Sequence, residues 1–197
     1  MHPSVEQLCE LMPPPDGPPA ATPWAQSVRD LGFRFPRDYR DFVDCYGGGR
    51  INGEFGVLIP MLQPYWPGAE TGFHGFAQFA AEQIGPAFPD LGEPGPYRNP
   101  HPFFPAPGGL LIWGRDYNGD HCFWLTGDGD PDRWPVVVFF RNLNAPQWRR
   151  FDGGMAQFLL AVADGSYEGA NLLIGPEQGA RWTRTEDWAR RYDLPDR

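Results

Sequence analysis

Leu110-Leu111-Ile112-Trp113-Gly114-Arg115-Asp116-Tyr117-Asn118-Gly119-Asp120-His121-Cys122-Phe123-Trp124-Leu125-Thr126 reads as an antiparallel hairpin. Asn118-Gly119 is a strong turn signal, because both residues accept positive φ at little cost. Residues 110–113 form the outgoing apolar strand, and residues 121–126 return. Past the loop Gly127-Asp128-Gly129-Asp130-Pro131-Asp132, residues 135–141 read as a third strand. Its run Val136-Val137-Val138-Phe139-Phe140 lacks polar alternation, which predicts burial on both faces. Residues 148–151 supply a fourth strand.

On the N-terminal side the apolar period changes to that of a helix. Val5, Leu8, Leu11 and Met12 recur at helical spacing. The following run, Pro13-Pro14-Pro15-Asp16-Gly17-Pro18-Pro19, is a stiff connector that cannot be helical. Thr22-Pro23 reads as an N-cap and first helical position, opening a helix that Gly32 stops. Another helix starts at Pro36. Phe35, Tyr39, Phe42, Val43 and Tyr46 make its apolar face, and Arg37, Asp38, Arg40, Asp41 and Asp44 its polar one. Gly47-Gly48-Gly49 ends it. Asn52-Gly53 marks a turn and Val57-Leu58-Ile59 a strand. Residues 71–84 are expected to be helical, on Phe73, Phe76, Ala80 and Ile84. Residues 85–109, with Pro86, Pro89, Pro94, Pro96, Pro100, Pro102, Pro105 and Pro107, form a long irregular insertion.

On the C-terminal side, Asp152 is placed to cap a helix with Met155, Phe158, Leu159 and Val162 inward and Gly165 beyond its end. Thr183 and Glu186 fit a capping box for a short helix carrying Trp188 and Tyr192. The resulting class is α+β: a central, largely antiparallel sheet packed by N-terminal helices and by a helix after the last strand. A length of 197 residues, 41% of them hydrophobic, suits one domain over 1–197, with 166–197 as a C-terminal extension.

Composition excludes much chemistry. All 16 basic residues are arginine, so no P-loop lysine, Schiff-base lysine or kinase-type lysine exists. Ser4, Ser27 and Ser166 lie in no nucleophile elbow. His2, His74, His101 and His121 make no metal-ligand pattern. His121 and Cys122 are strand neighbours whose side chains point to opposite faces, so they form no nucleophile–base pair. Cys9, Cys45 and Cys122 are odd in number and unpaired in sequence, and are expected to be buried reduced thiols. Trp113, Trp124 and Trp134 are expected in the core. The expectation is a non-enzyme without cofactor or metal. No apolar run approaches the roughly 20 residues of a membrane span. Met1-His2-Pro3-Ser4 begins no recognisable signal peptide, so the expected compartment is the cytoplasm. A net charge of −9 argues against nucleic-acid binding and is consistent with a basic partner.

Three stretches together resemble the SUKH superfamily, named partly for a fungal cell-wall-assembly regulator. The first is Phe35-Pro36-Arg37-Asp38-Tyr39-Arg40-Asp41-Phe42 with Tyr46-Gly47-Gly48-Gly49 and Ile51-Asn52-Gly53. The second is Trp113-Gly114-Arg115-Asp116-Tyr117-Asn118-Gly119-Asp120 with Phe123-Trp124. The third is Trp134-Pro135-Val136-Val137-Val138, leading to Phe151 and Phe158-Leu159-Leu160. The likeness covers residues 31–165. It implies a non-catalytic protein-binding role. In bacteria that role is an immunity protein neutralising a cognate toxin, often a nuclease or deaminase. In fungi it is a regulatory hub, so a regulator or scaffold without a toxin partner is the alternative.

Asp116, Asp120, Asp128, Asp130 and Asp132 fall in a window free of arginine. The hairpin turn and the next loop are expected to gather them at one end of the sheet, as an acidic surface for a basic toxin. The competing reading is turn aspartates that bond their own backbone. A calcium loop is excluded by Arg133 and Phe139, where an EF-hand needs glycine and glutamate.

Overall fold

The computed structural model describes residues 1–60, 68, 70–88, 98–143, 146–175 and 179–185. Its helices are α1 (Pro3–Leu11), α2 (Ala25–Leu31), α3 (Arg37–Tyr46), α4 (Gly72–Phe79), α5 (Met155–Ala163) and α6 (Ala170–Ile174), and α4 runs on into a π-turn at Ala80–Ile84. Its strands are β1 (Gly49–Ile51), β2 (Phe55–Val57), β3 (Leu110–Arg115), β4 (His121–Leu125), β5 (Val136–Phe139), β6 (Trp148–Phe151) and β7 (Trp182–Arg184). They form one sheet in the order β6-β5-β4-β3-β2-β1-β7, each neighbouring pair antiparallel. The expected α+β class is the observed one.

Alternation along the strands separates two apolar layers. Leu111, Trp113, Cys122, Trp124, Val136 and Val138 face the cluster that includes α1, α3 and α5. Leu110, Ile112, Phe123, Val137 and Phe139 face the other way, under Phe79, Ala80 and Ile84, with Phe88 and Phe103 packed against them. Burial on both sides explains why β5 carries no polar alternation. Trp113 and Trp124 are fully buried and Trp134 nearly so. Gly114 follows a register shift in β3, and a Cβ there would run into the Phe55 ring.

Several expectations shift. Helix α2 begins two residues beyond Pro23, with Trp24 rather than Thr22 at its N-cap. The strand expected at Val57-Leu58-Ile59 begins earlier, at Phe55, because Asn52 (φ 54°) and Gly53 (φ 76°) turn the chain straight from β1 into β2. Leu58 donates one further bond, to Trp113 O, before Ile59 and Pro60. Thr183 lies inside β7, paired with Arg50; Glu186, Trp188 and Tyr192, expected to form a short helix with it, lie outside the described residues. Residues 182–184 of the tail thus add a strand to the sheet beside β1. The insertion at 85–109, of which 89–97 lies outside the described residues, is tied down at its end. Leu110 N–H donates to Pro102 O, Phe104 N–H to Leu110 O, and Thr126 to Gly109 O.

Candidate interaction surface

The five aspartates of the acidic window do not gather. Asp116 and Asp120 sit in the β3–β4 turn, whereas Asp128, Asp130 and Asp132 follow β4 at the opposite end of that strand. The strand's five residues separate the two groups by about 16 Å of backbone. The expected single acidic cluster is thereby corrected: antiparallel strands send successive turns to opposite sheet ends.

Asp116 and Asp120 are buried. Asp116 Oδ1 accepts the N–H groups of Asn118 (2.9 Å) and Asp120 (2.8 Å), and its Oδ2 accepts Asn118 Nδ2 (3.2 Å). Of the expected turn pair, Gly119 (φ 93°) is the one with positive φ; the Asp116 carboxylate organises the rest. Asp120 Oδ1 accepts the N–H of Arg141 at 2.8 Å. Burial pushes the Asp120 carboxyl up to about 6, with the charge of Asp116 adding to the shift and the Arg141 N–H opposing it.

The second group forms a loop with its own scaffold. Asp128 Oδ1 accepts from Asp130 N–H (2.9 Å) and Asp130 Oδ1 from Asp132 N–H (3.2 Å). Asp132 Oδ1 accepts the N–H of Arg37 at 2.6 Å, capping α3, and its Oδ2 accepts Arg34 Nη2 at 3.1 Å. Arg34 also lies 3.6 Å from Asp130, and Arg133 3.5 Å from Asp128. Tertiary structure thus brings in Arg34, while Arg133 comes from the position just past the window. Trp134 anchors the loop through Nε1–H to Asp128 O (2.7 Å) and an edge-to-face contact with Phe33.

Beside this loop opens a polar cleft of about 450 Å³, lined by His2, Arg37, Asp38, Asp132, Gly153, Gly154 and Gln157. The N-termini of α1, α3 and α5 meet at it, each capped by a group of the chain. His2 Nδ1 accepts from Ser4 N–H, Asp132 caps α3, and Asp38 Oδ2 accepts from Ala156 N–H at 2.9 Å. Asp38, expected on the polar face of α3, is buried and caps α5; Asp152, expected to do so, is exposed and paired with Arg150. Burial raises the Asp38 carboxyl above its ordinary value, against the N–H groups of Ala156 and Tyr39. An acidic residue in a first helical turn was visible in the sequence; its partner, 118 positions away, was not.

Cys122 and His121 lie away from that cleft, within the two apolar layers. Cys122 is fully buried, and burial raises its thiol well above the ordinary range. His121 faces the aromatic rings of Phe88, Phe123 and Phe139, where burial lowers it to about 4. Cys9 and Cys45, expected to be buried, are half-buried instead. No described helix is long and apolar enough to cross a membrane.

No curated protein and no solved structure gives a match to the chain. A family model does: the SMI1-KNR4 cell-wall family of the SUKH type matches residues 25–159, from α2 through the first half of α5. That span is more than half of the sequence and contains the acidic loop, the Asp38 cap and most of the sheet. The chain belongs to the SUKH superfamily.

Proposed function

We propose that the chain is a non-catalytic binding domain of the immunity type, which neutralises a basic protein toxin by occluding it. Family membership supports a protein-interaction role in general. The observation that carries the finer reading is the loop Asp128-Gly129-Asp130-Pro131-Asp132. It is charged, largely exposed, and held in one shape by internal hydrogen bonds and by its attachment to α3. A preorganised charged loop loses little freedom on binding and steers an oppositely charged partner. Asp116 and Asp120, buried in the opposite turn, have no part in that surface. A net charge of −9 favours a basic partner over a nucleic acid. The proposed setting is the cytoplasm, where a cognate nuclease or deaminase would act.

The test is affinity purification from the native host, then reconstitution with the stoichiometric partner. The reading requires the partner to arrest growth when expressed alone, and co-expression of this chain to restore growth. A stoichiometric partner that is harmless alone establishes the regulatory-scaffold alternative instead.

A further inference from the structure

Cys9 on α1 and Cys45 on α3 stand with their Sγ atoms 3.5 Å apart. Both are free and half-buried, so a small oxidant reaches them without unfolding. The helices that carry them are fixed independently. Val5, Leu8 and Met12 of the α1 segment are fully buried, and Tyr46, the neighbour of Cys45, donates its Oη–H to Met12 O at 2.7 Å. Bonded sulfurs lie about 2.05 Å apart, so a bond requires the two Sγ atoms to approach by about 1.5 Å. We propose that Cys9 and Cys45 are a site of reversible disulfide formation, made by exchange with a small disulfide of the glutathione class, which latches α1 to α3.

The chemistry balances as two successive displacements. The Cys9 thiolate attacks one sulfur of the small disulfide, forming a mixed disulfide and releasing one small thiolate. The Cys45 thiolate then attacks Cys9 Sγ and releases the second. Two protein thiols are oxidised by two electrons, the small disulfide is reduced to two thiols, and those thiols take up the two protons. The order follows from the surroundings. Burial, and then the hydrogen bond and charge of Cys9, push the Cys45 thiol up to about 12, against the pull of the Arg184 guanidinium. Cys45 therefore waits as a thiol. Once Cys9 is capped, its hydrogen bond and charge are gone while Arg184 remains, held by Tyr46 O and Gly17 O.

The latch has a structural meaning. Helix α1 lies outside the family-matched span 25–159 and is joined to it by the proline-rich connector. Crosslinking residues 36 positions apart restricts the unfolded chain. The expected rise in Tm is roughly 8–15 °C for a chain of this size.

The test uses the full chain, reduced or equilibrated with excess oxidised glutathione, then unfolded and alkylated for intact mass and peptide mapping. Expected are the loss of two hydrogens, a crosslinked Cys9–Cys45 peptide, an alkylated Cys122 and the rise in Tm. Cys9→Ser and Cys45→Ser should each abolish that rise. Glutathione adducts on both cysteines without a crosslink, two unreacted thiols, or a crosslink without the rise in Tm would overturn the proposal. Should a serine variant misfold by circular dichroism, the wild-type peptide map decides alone.

Discussion

Asp38 Oδ2 accepts the backbone N–H of Ala156 at 2.9 Å, so a residue in the first turn of α3 caps α5 across 118 positions of sequence. The other carboxylate oxygen accepts the N–H of Tyr39 at 2.7 Å. Gly154 is part of the same arrangement, because a Cβ there would run into Asp38 Oδ2. One buried side chain thus ties together two of the three helices whose N-termini meet at the polar cleft beside the acidic loop.

Asp38→Ala should destabilise the fold by about 1–3 kcal/mol, the cost of a lost cap and unsatisfied buried N–H groups. Asp38→Asn keeps an acceptor and should cost less. Gly154→Ala should be destabilising in the wild type and milder beside Asp38→Ala, since the clash is with the Asp38 carboxylate. Urea denaturation of the three single and double variants checks this. Strict additivity would show that the two residues do not meet.

Trp113 is fully buried between the Phe55, Trp124 and Phe158 rings. Trp113→Ala should cost about 3–5 kcal/mol through lost contacts and the cavity left behind. Its indole N–H has no hydrogen-bond partner among the described residues, so Trp113→Phe forfeits none and should cost much less. Thermal melting that ranks the phenylalanine variant with the alanine one would refute the packing account.

Asp120 and His121 should oppose each other in acid. Asp120 is pushed from the ordinary 3.8 up to about 6, so its contribution to stability is present at low pH and is lost as pH rises through 6. His121 is lowered from 6.5 to about 4, first by burial and then by the Arg115 guanidinium; its contribution is present above 6.5 and is lost as pH falls through 4. Between those limits the two slopes cancel. Asp120→Asn should expose the histidine, with stability falling by up to about 1.4 kcal/mol per pH unit on acidification. His121→Phe should expose the opposite slope. Parallel stability-versus-pH curves for the wild type and Asp120→Asn would sink this.

Converting Asp128, Asp130 and Asp132 to asparagine keeps an oxygen acceptor at each turn, so the fold should persist with a small change in stability. It leaves Arg34 and Arg133 uncompensated. Association with a basic partner should slow at low salt, and the wild type and the variant should converge near 1 M salt, where the Debye length is about 3 Å. Stopped-flow kinetics at two salt concentrations read this directly. Equal rates at low salt would remove the loop from the binding surface while leaving the broader binding role standing.

Local rules determined much of this protein from its sequence. The apolar faces of α1, α3 and α5, the end of α3 at Gly47, and the unbroken run of β5 follow from periods and caps within a few residues. The same rules identified turns at Asn52-Gly53 and Asn118-Gly119, though the second owes its shape to Asp116. Tertiary structure decided what depends on pairs distant in sequence. It placed β7 beside β1, pairing Thr183 with Arg50 across 133 positions of sequence. It split the acidic window, because a strand lies between its halves, and brought Arg34 to the loop from 98 positions away. It exchanged Asp152 for Asp38 at the start of α5, since a cap needs an acceptor near the helix end in space, whatever its place in the chain. It set Cys9 against Cys45, a pairing that no spacing rule contains, because helix packing fixes which side chains meet.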